Sequence, residues 1–117
     1  LGRWGESLAA DYLRSKGYAI LAQNVRTTYG ELDLVTRQET QHGAVTVFVE
    51  VKTRRSGAFG LPEAAITPQK QAHLLAAAQA HLQANPDLEG DWRVDVIAIR
   101  RIPGQEVEVV HFENAVQ

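Results

Sequence analysis

The chain of 117 residues is 44% hydrophobic, which suits one ordinary globular core and leaves little room for two. It holds no cysteine, so a disulfide framework and a thiolate zinc site are both excluded, and a reducing, cytoplasmic setting is expected. The net charge of −2 argues against a uniformly basic nucleic-acid binder, yet residues 1–86 carry nine Lys and Arg against seven Asp and Glu, while residues 87–117 carry three against seven. No apolar run approaches the roughly 18 to 20 residues that span a bilayer, and the N-terminal stretch lacks a signal-peptide layout, so no membrane association is expected.

From Gly2 to Lys16, Leu8, Ala9, Tyr12 and Leu13 recur at spacings of three and four, and Gly17 supplies a stop, which predicts an amphipathic helix. Tyr18 to Val25 reads as a strand, Tyr29-Gly30 as a turn, and the alternating run Glu31-Leu32-Asp33-Leu34-Val35 as a second strand. Polar residues Gln38 to Gly43 read as a hairpin connection. Val45 to Lys52 is the strongest strand, with five of its eight residues Val or Thr and one more aromatic. Thr53 to Thr67, with Gly57, Gly60 and Pro62 and no period, reads as a long mobile loop. Thr67 is a good N-cap, Pro68 fits the first helical position, and Leu74, Leu75, Ala78 and Leu82 carry a second helix to about Ala84. Arg93–Arg100 and Gln105–Phe112 read as two more strands, joined by a turn at Pro103-Gly104. The order helix, three strands, helix, two strands describes one layered α/β domain over residues 1–117, with no internal repeat or linker.

Side chains two apart on a strand share a face, so Glu50 and Lys52 project together while Val47, Val49 and Val51 point the other way. A charged pair in the most apolar strand of a small domain destabilises it unless partners satisfy the charges. Glu31 and Asp33 likewise share a face of the preceding strand, and the hairpin lets that strand lie antiparallel beside the Glu50 strand, so that carboxylates converge. A hard divalent cation such as Mg²⁺ or Mn²⁺ takes oxygen ligands from one or two carboxylates and keeps several waters, which Asp33 and Glu50 offer, with the Val51 carbonyl as a third oxygen. Lys52 is then placed to orient an attacking water or stabilise charge on a phosphate, and the expected reaction is phosphodiester hydrolysis. Taken singly, Glu50 and Lys52 read better as a solvated salt bridge on an edge strand and Asp33 as a polar residue at a strand end; taken together, the acidic residue, spacer and Glu-x-Lys form a moderately specific pattern.

At these residues the sequence resembles the PD-(D/E)xK nuclease superfamily, and within it the small bacterial YraN-type proteins, which are similar to archaeal Holliday-junction resolvases. The resemblance covers almost the whole chain and is carried by Gly5-Glu6, Gly30-Glu31-Leu32-Asp33-Leu34, Val47-Phe48-Val49-Glu50-Val51-Lys52-Thr53-Arg54, Pro68-Gln69-Lys70 and Asp95-Val96. It implies a restriction-endonuclease-like core: a mixed five-stranded sheet flanked by two main helices. It further implies Asp33 and Glu50 as metal ligands, Lys52 as the catalytic lysine, Glu6 as an accessory carboxylate, Gln69 as a helix-two residue near the site, DNA as partner, branched or structured DNA as substrate, and a homodimer. The literal Pro-Asp of the superfamily is absent, since Leu32 precedes Asp33.

Arg26, Arg54, Arg55 and Lys70 lie in or beside the loop and the strand ends, where they are able to grip a phosphate backbone without reading bases; the competing reading is solubilising charge. Asp95 reads as a structural partner of a nearby basic residue. His42, His73, His81 and His111 lack ligand spacing and read as surface groups. Trp4 and Trp92 read as packing residues ahead of base-stacking ones. The alternative to an active nuclease is a nuclease-fold protein that binds nucleic acid or a protein partner with little or no turnover. A further reading gives the Ala72, Ala76 and Ala80 face to the sheet or to another copy.

Overall fold

The computed structural model describes residues 2–54 and 66–117. In chain order it comprises α1 (Gly2–Ser15), β1 (Ala19–Thr27), β2 (Gly30–Thr40), β3 (Gly43–Arg54), α2 (Pro68–Ala84), a short 3₁₀ turn (Pro86–Leu88), β4 (Asp91–Arg100) and β5 (Glu108–Val116). The strands form one mixed sheet in the order β1-β2-β3-β4-β5. Neighbours are antiparallel except β3 and β4, which run parallel because α2 lies in the connection between them.

Successive residues of the central strands face opposite cores. Val47, Val49, Ile97 and Ile99 pack with Ala9, Ala10 and Leu13 of α1, whereas Phe48, Val94 and Val96 pack with Leu74, Ala77 and Ala78 of α2. The helices therefore cover opposite faces, which is why the central strands read as continuous apolar runs. On α2 the residues turned to the sheet are Leu74, Ala77 and Ala78; Ala72 is exposed, and Ala76 and Ala80 are half-buried. Gly5 lets α1 approach β3 closely: a Cβ there would collide with Thr53 Oγ1.

Both hairpins are tighter than the polar composition of Gln38–Gly43 suggests, and β2 runs on to Thr40. Each uses the same four-residue device, Thr27-Thr28-Tyr29-Gly30 and Thr40-Gln41-His42-Gly43. The threonine hydroxyl donates to the glycine carbonyl (2.8 Å in both) and accepts from the N–H two residues on (3.1 Å in both). Gly30 and Gly43 take φ of 132° and 110°, where a side chain would be strained. α2 begins as expected, with Thr67 Oγ1 accepting from Lys70 N–H at 3.1 Å and Pro68 opening the helix. Thr53 and Arg54, expected in the loop, belong to β3. The remainder of that loop, residues 55–65, lies outside the described residues, and with it the expected mobility.

β5 is shifted from the expected Gln105–Phe112 and continues through Asn114 (φ 51°) to Val116. The irregularity is held by Asp95 Oδ1, which accepts the Asn114 N–H at 2.8 Å and lets Val116 regain its pairing with Val94.

Candidate active site

β2 and β3 pair regularly from Thr40↔Gly43 to Leu34↔Val49, and there the ladder stops. One residue further the side chain of Asp33 takes over from the main chain, its Oδ2 accepting the Val51 N–H at 2.8 Å. Alternation in β2 breaks at the same place, because Leu34 packs in the α1-side core and Leu32 in the α2-side core. Glu31 and Asp33 consequently do not act as a pair: Glu31 is exposed and faces Arg26 at 3.8 Å. In an extended strand the N–H and C=O of one residue leave on the same edge, so the Val51 carbonyl also faces the gap that Asp33 enters.

Glu50 stands on the α2 side of β3 and is only 4% exposed. Its Oε2 lies 3.5 Å from Lys52 Nζ and 3.7 Å from Lys70 Nζ, the latter reaching over from the first turn of α2. Burial pushes the Glu50 carboxyl from 4.5 up to about 7, the nearby Asp33 carboxylate adds to the rise, and the Lys70 and Lys52 ammoniums hold it in check. Asp33, Glu50 and Lys52 thus come together, and Lys70, expected only as a phosphate contact, joins them. No local sequence signal announced this, because the contact depends on where the β3–β4 connection lands α2.

Glu6 reaches the same end of the sheet from α1. Burial raises its carboxyl above the usual value and the Asp33 charge adds to this, while the Asn24 amide counteracts it. Asn24 takes φ of 53°, a left-handed conformation that Asn tolerates better than most residues, and was not singled out by the sequence. Gln69 is exposed on the first turn of α2. Arg26 is almost fully exposed beside Glu31, Arg54 is half-buried at the end of β3, and Arg55 lies outside the described residues.

The donor set consists of oxygen atoms: two carboxylates on neighbouring strands and a carbonyl on the same edge. Two carboxylates this close destabilise one another unless a proton or a cation stands between them, and the Asp33 charge adds to the rise that burial imposes on the Glu50 carboxyl. Among the described residues no three His, Cys, Asp or Glu side chains gather into a cage. The set fits a hard divalent cation that retains part of its water shell, and it does not fit zinc. The N-terminal turns of both helices approach this end of the sheet, and neither carries an acidic residue in its first turn, so their dipoles favour an anionic ligand here.

A second polar cluster lies on the α1 face, further back along β4. Asp95 is fully buried and accepts from Arg93 (Nε at 3.0 Å and Nη2 at 3.3 Å), makes a 2.7 Å hydrogen bond with His111 Nε2, and accepts from the Asn114 N–H. Arg93 also donates to Tyr18 Oη at 2.9 Å and Gln38 Oε1 at 3.2 Å. Although burial opposes ionisation, the donors of His111, Arg93 and Asn114 together hold the Asp95 carboxyl below its ordinary value. Asp95 is therefore the structural partner of a basic residue, as its sequence context suggests. His111 corrects the reading of the histidines as surface groups: it is mostly buried, packed between Tyr12 and Tyr18. An apolar depression of about 380 Å³ at the far end of α2, lined by Leu82, Pro86, Leu88 and Trp92, is remote from the acidic groups.

A mixed sheet with one helix on each face, splayed where an Asp and a Glu-x-Lys meet, defines an α/β protein with a restriction-endonuclease-like core. The family model described as "Uncharacterised protein family UPF0102" matches residues 5–99. UPF0102 proteins of Syntrophotalea carbinolica and Syntrophomonas wolfei are 49% and 48% identical to it, each over 98% of this chain and over 89% and 96% of their own lengths. A UPF0102 protein of Roseiflexus castenholzii is 43% identical over 100% of this chain and 93% of its own. The chain belongs to the UPF0102 family, a PD-(D/E)xK nuclease-like group.

Proposed function

We propose that this protein is a divalent-cation-dependent endonuclease acting on DNA, with branched or structured DNA as the substrate class to test first. The observation that carries the reading is the approach of Asp33 and Glu50 at the point where β2 leaves β3, with Lys52 3.5 Å from Glu50. Asp33 and Glu50 would hold Mg²⁺ or Mn²⁺, with the Val51 carbonyl as a third protein oxygen. A cation bound there supplies charge neutralisation at the attacked phosphate and acidity to an attacking water.

The chain's own groups do the rest. Lys52, anchored by Glu50 on a rigid central strand, donates to the attacking water and, remaining protonated, stabilises charge developing on the phosphoryl oxygens. Lys70 offsets the Glu50 charge and ties α2 to the strand that carries the reaction. Glu6 acts as an accessory carboxylate from α1, and the exposed Gln69 meets substrate at the entrance to α2. Arg54 and Arg55 hold the phosphate backbone, with Arg26 as an outlying contact.

The test is cleavage of single-stranded, duplex, flap and four-way DNA in Mg²⁺ or Mn²⁺. Cleavage should vanish with EDTA and fall by about 100-fold or more in Asp33→Ala and Lys52→Ala, the scale of losing one group that stabilises the transition state. Unchanged cleavage by Asp33→Ala would place the activity elsewhere. Binding of DNA without cleavage by the wild type would favour the non-catalytic alternative.

A further inference from the structure

Beside the acidic pair, the carboxyl ends of β3 and β4 bring Arg54, already assigned to the phosphate backbone, together with Arg101 and Trp4, which the nuclease reading does not use. Arg101 follows directly on β4, and its N–H donates to the Arg54 carbonyl at 2.8 Å, so both arginines ride on one continuation of the parallel ladder. The Arg101 guanidinium lies over the ring of Trp4, 5.4 Å from the centroid. Trp4 is half-buried and packed against the α1-side core, and it immediately precedes Gly5, where α1 touches Thr53. The indole is thus a fixed platform, whereas Arg101 is exposed.

Most other cations are matched with carboxylates: Arg14 with Asp11, Arg26 with Glu31, Lys52 and Lys70 with Glu50, Arg93 with Asp95, Arg100 with Glu108. Arg54 and Arg101 have no carboxylate within ion-pair distance among the described residues, and the Arg54 guanidinium donates only to the Thr53 carbonyl, at 3.2 Å. A guanidinium held over an indole face still has N–H groups to donate and loses less side-chain freedom when it binds than a free one. Those are the requirements for a two-pronged grip on a phosphate.

We infer that Trp4, Arg54 and Arg101 form a phosphate clamp for the backbone of a nucleic-acid strand that passes from the acidic site around the end of the sheet to the α1 side. Arg54 and Arg101 make the ionic contacts, and Trp4 positions Arg101 without touching the strand. The clamp rests on the nuclease reading, because its ligand is the substrate of that site.

The test measures binding of fluorescein-labelled duplex and four-way-junction DNA by the whole protein in EDTA, across a salt series. Arg101 is exposed, so its replacement leaves the core intact. Arg101→Ala should weaken binding and reduce the slope of log affinity against log salt by about one. Arg101→Lys should keep the slope yet lose about two- to fivefold in affinity, since lysine retains the charge and loses the planar guanidinium and its paired N–H donors. Trp4→Phe should keep the slope with a smaller loss. Arg37→Ala, which removes a cation further along β2 that donates to Thr46 Oγ1 at 2.9 Å, is the control and should change little. An unchanged slope in Arg101→Ala, or an equal loss in Arg37→Ala, overturns the clamp and leaves the nuclease reading standing. Failure of the wild type to bind either DNA at any salt overturns both.

Discussion

Glu50 is the residue at which stability and the proposed function conflict, and Glu50→Gln exposes the conflict. Its carboxyl is raised from 4.5 to about 7, mainly by burial. Over that interval the folded chain holds a proton that the unfolded chain has released, so stability falls as pH rises from 4.5 to 7 and stays low above it. At about 1.4 kcal/mol per pKa unit, the ionised carboxylate weakens the apo protein by up to about 3 kcal/mol at pH 8. Glutamine preserves shape and hydrogen-bonding capacity without the charge. In EDTA at about pH 8 the variant should be 2 to 3 kcal/mol more stable than wild type, a rise in Tm of about 10 °C for a chain of this size. The advantage should shrink to nothing near pH 4.5, where the wild-type carboxyl is protonated. Thermal unfolding followed by circular dichroism at both pH values checks this. A variant less stable than wild type at pH 8, or an offset independent of pH, would refute the argument that Glu50 is an unfavourably buried charge.

Gly5→Ala should lower stability by about 1 to 3 kcal/mol, as overpacking does, because its Cβ meets Thr53 Oγ1; adding Thr53→Ala should recover much of the loss in a double-mutant cycle of denaturant midpoints. Asp95→Asn should cost about 3 to 5 kcal/mol at neutral pH, because it leaves Arg93 without its buried counter-charge. Since the folded Asp95 carboxyl lies below its ordinary 3.8, its contribution is fully present above 3.8 and is lost as pH falls through the lower folded value. Chemical denaturation should therefore show the gap between Asp95→Asn and wild type closing only in strong acid.

The elements that the sequence made legible are those whose signals are local. The capping Thr67 with Pro68, the periodicity ending at Gly17 and the valine-rich β3 each carry their own instructions, and Glu50 and Lys52 share a face because the strand period is two. What stayed hidden depends on residues distant in sequence. β5 reaches Val116 only because Asp95, on another strand, holds the Asn114 N–H. His111 looks like a surface group until β4 supplies Asp95 and the region around α1 supplies Tyr12 and Tyr18. Strict alternation pairs Glu31 with Asp33, whereas β2 turns over at Asp33, where a side chain replaces the ladder. Lys70 enters the site through the placement of α2, and Trp4 meets Arg101 across nearly the whole length of the chain.

Titration of the apo protein with Mn²⁺ at pH 8, followed by calorimetry, examines the acidic pair apart from any choice of substrate. One ion per chain should bind wild type, binding should be lost in Asp33→Ala, and affinity should weaken as pH is lowered through about 7, because the Glu50 carboxyl must release its proton to become a ligand. Absence of binding, or binding that Asp33→Ala leaves unchanged, would contradict the assignment of these oxygens to a catalytic cation.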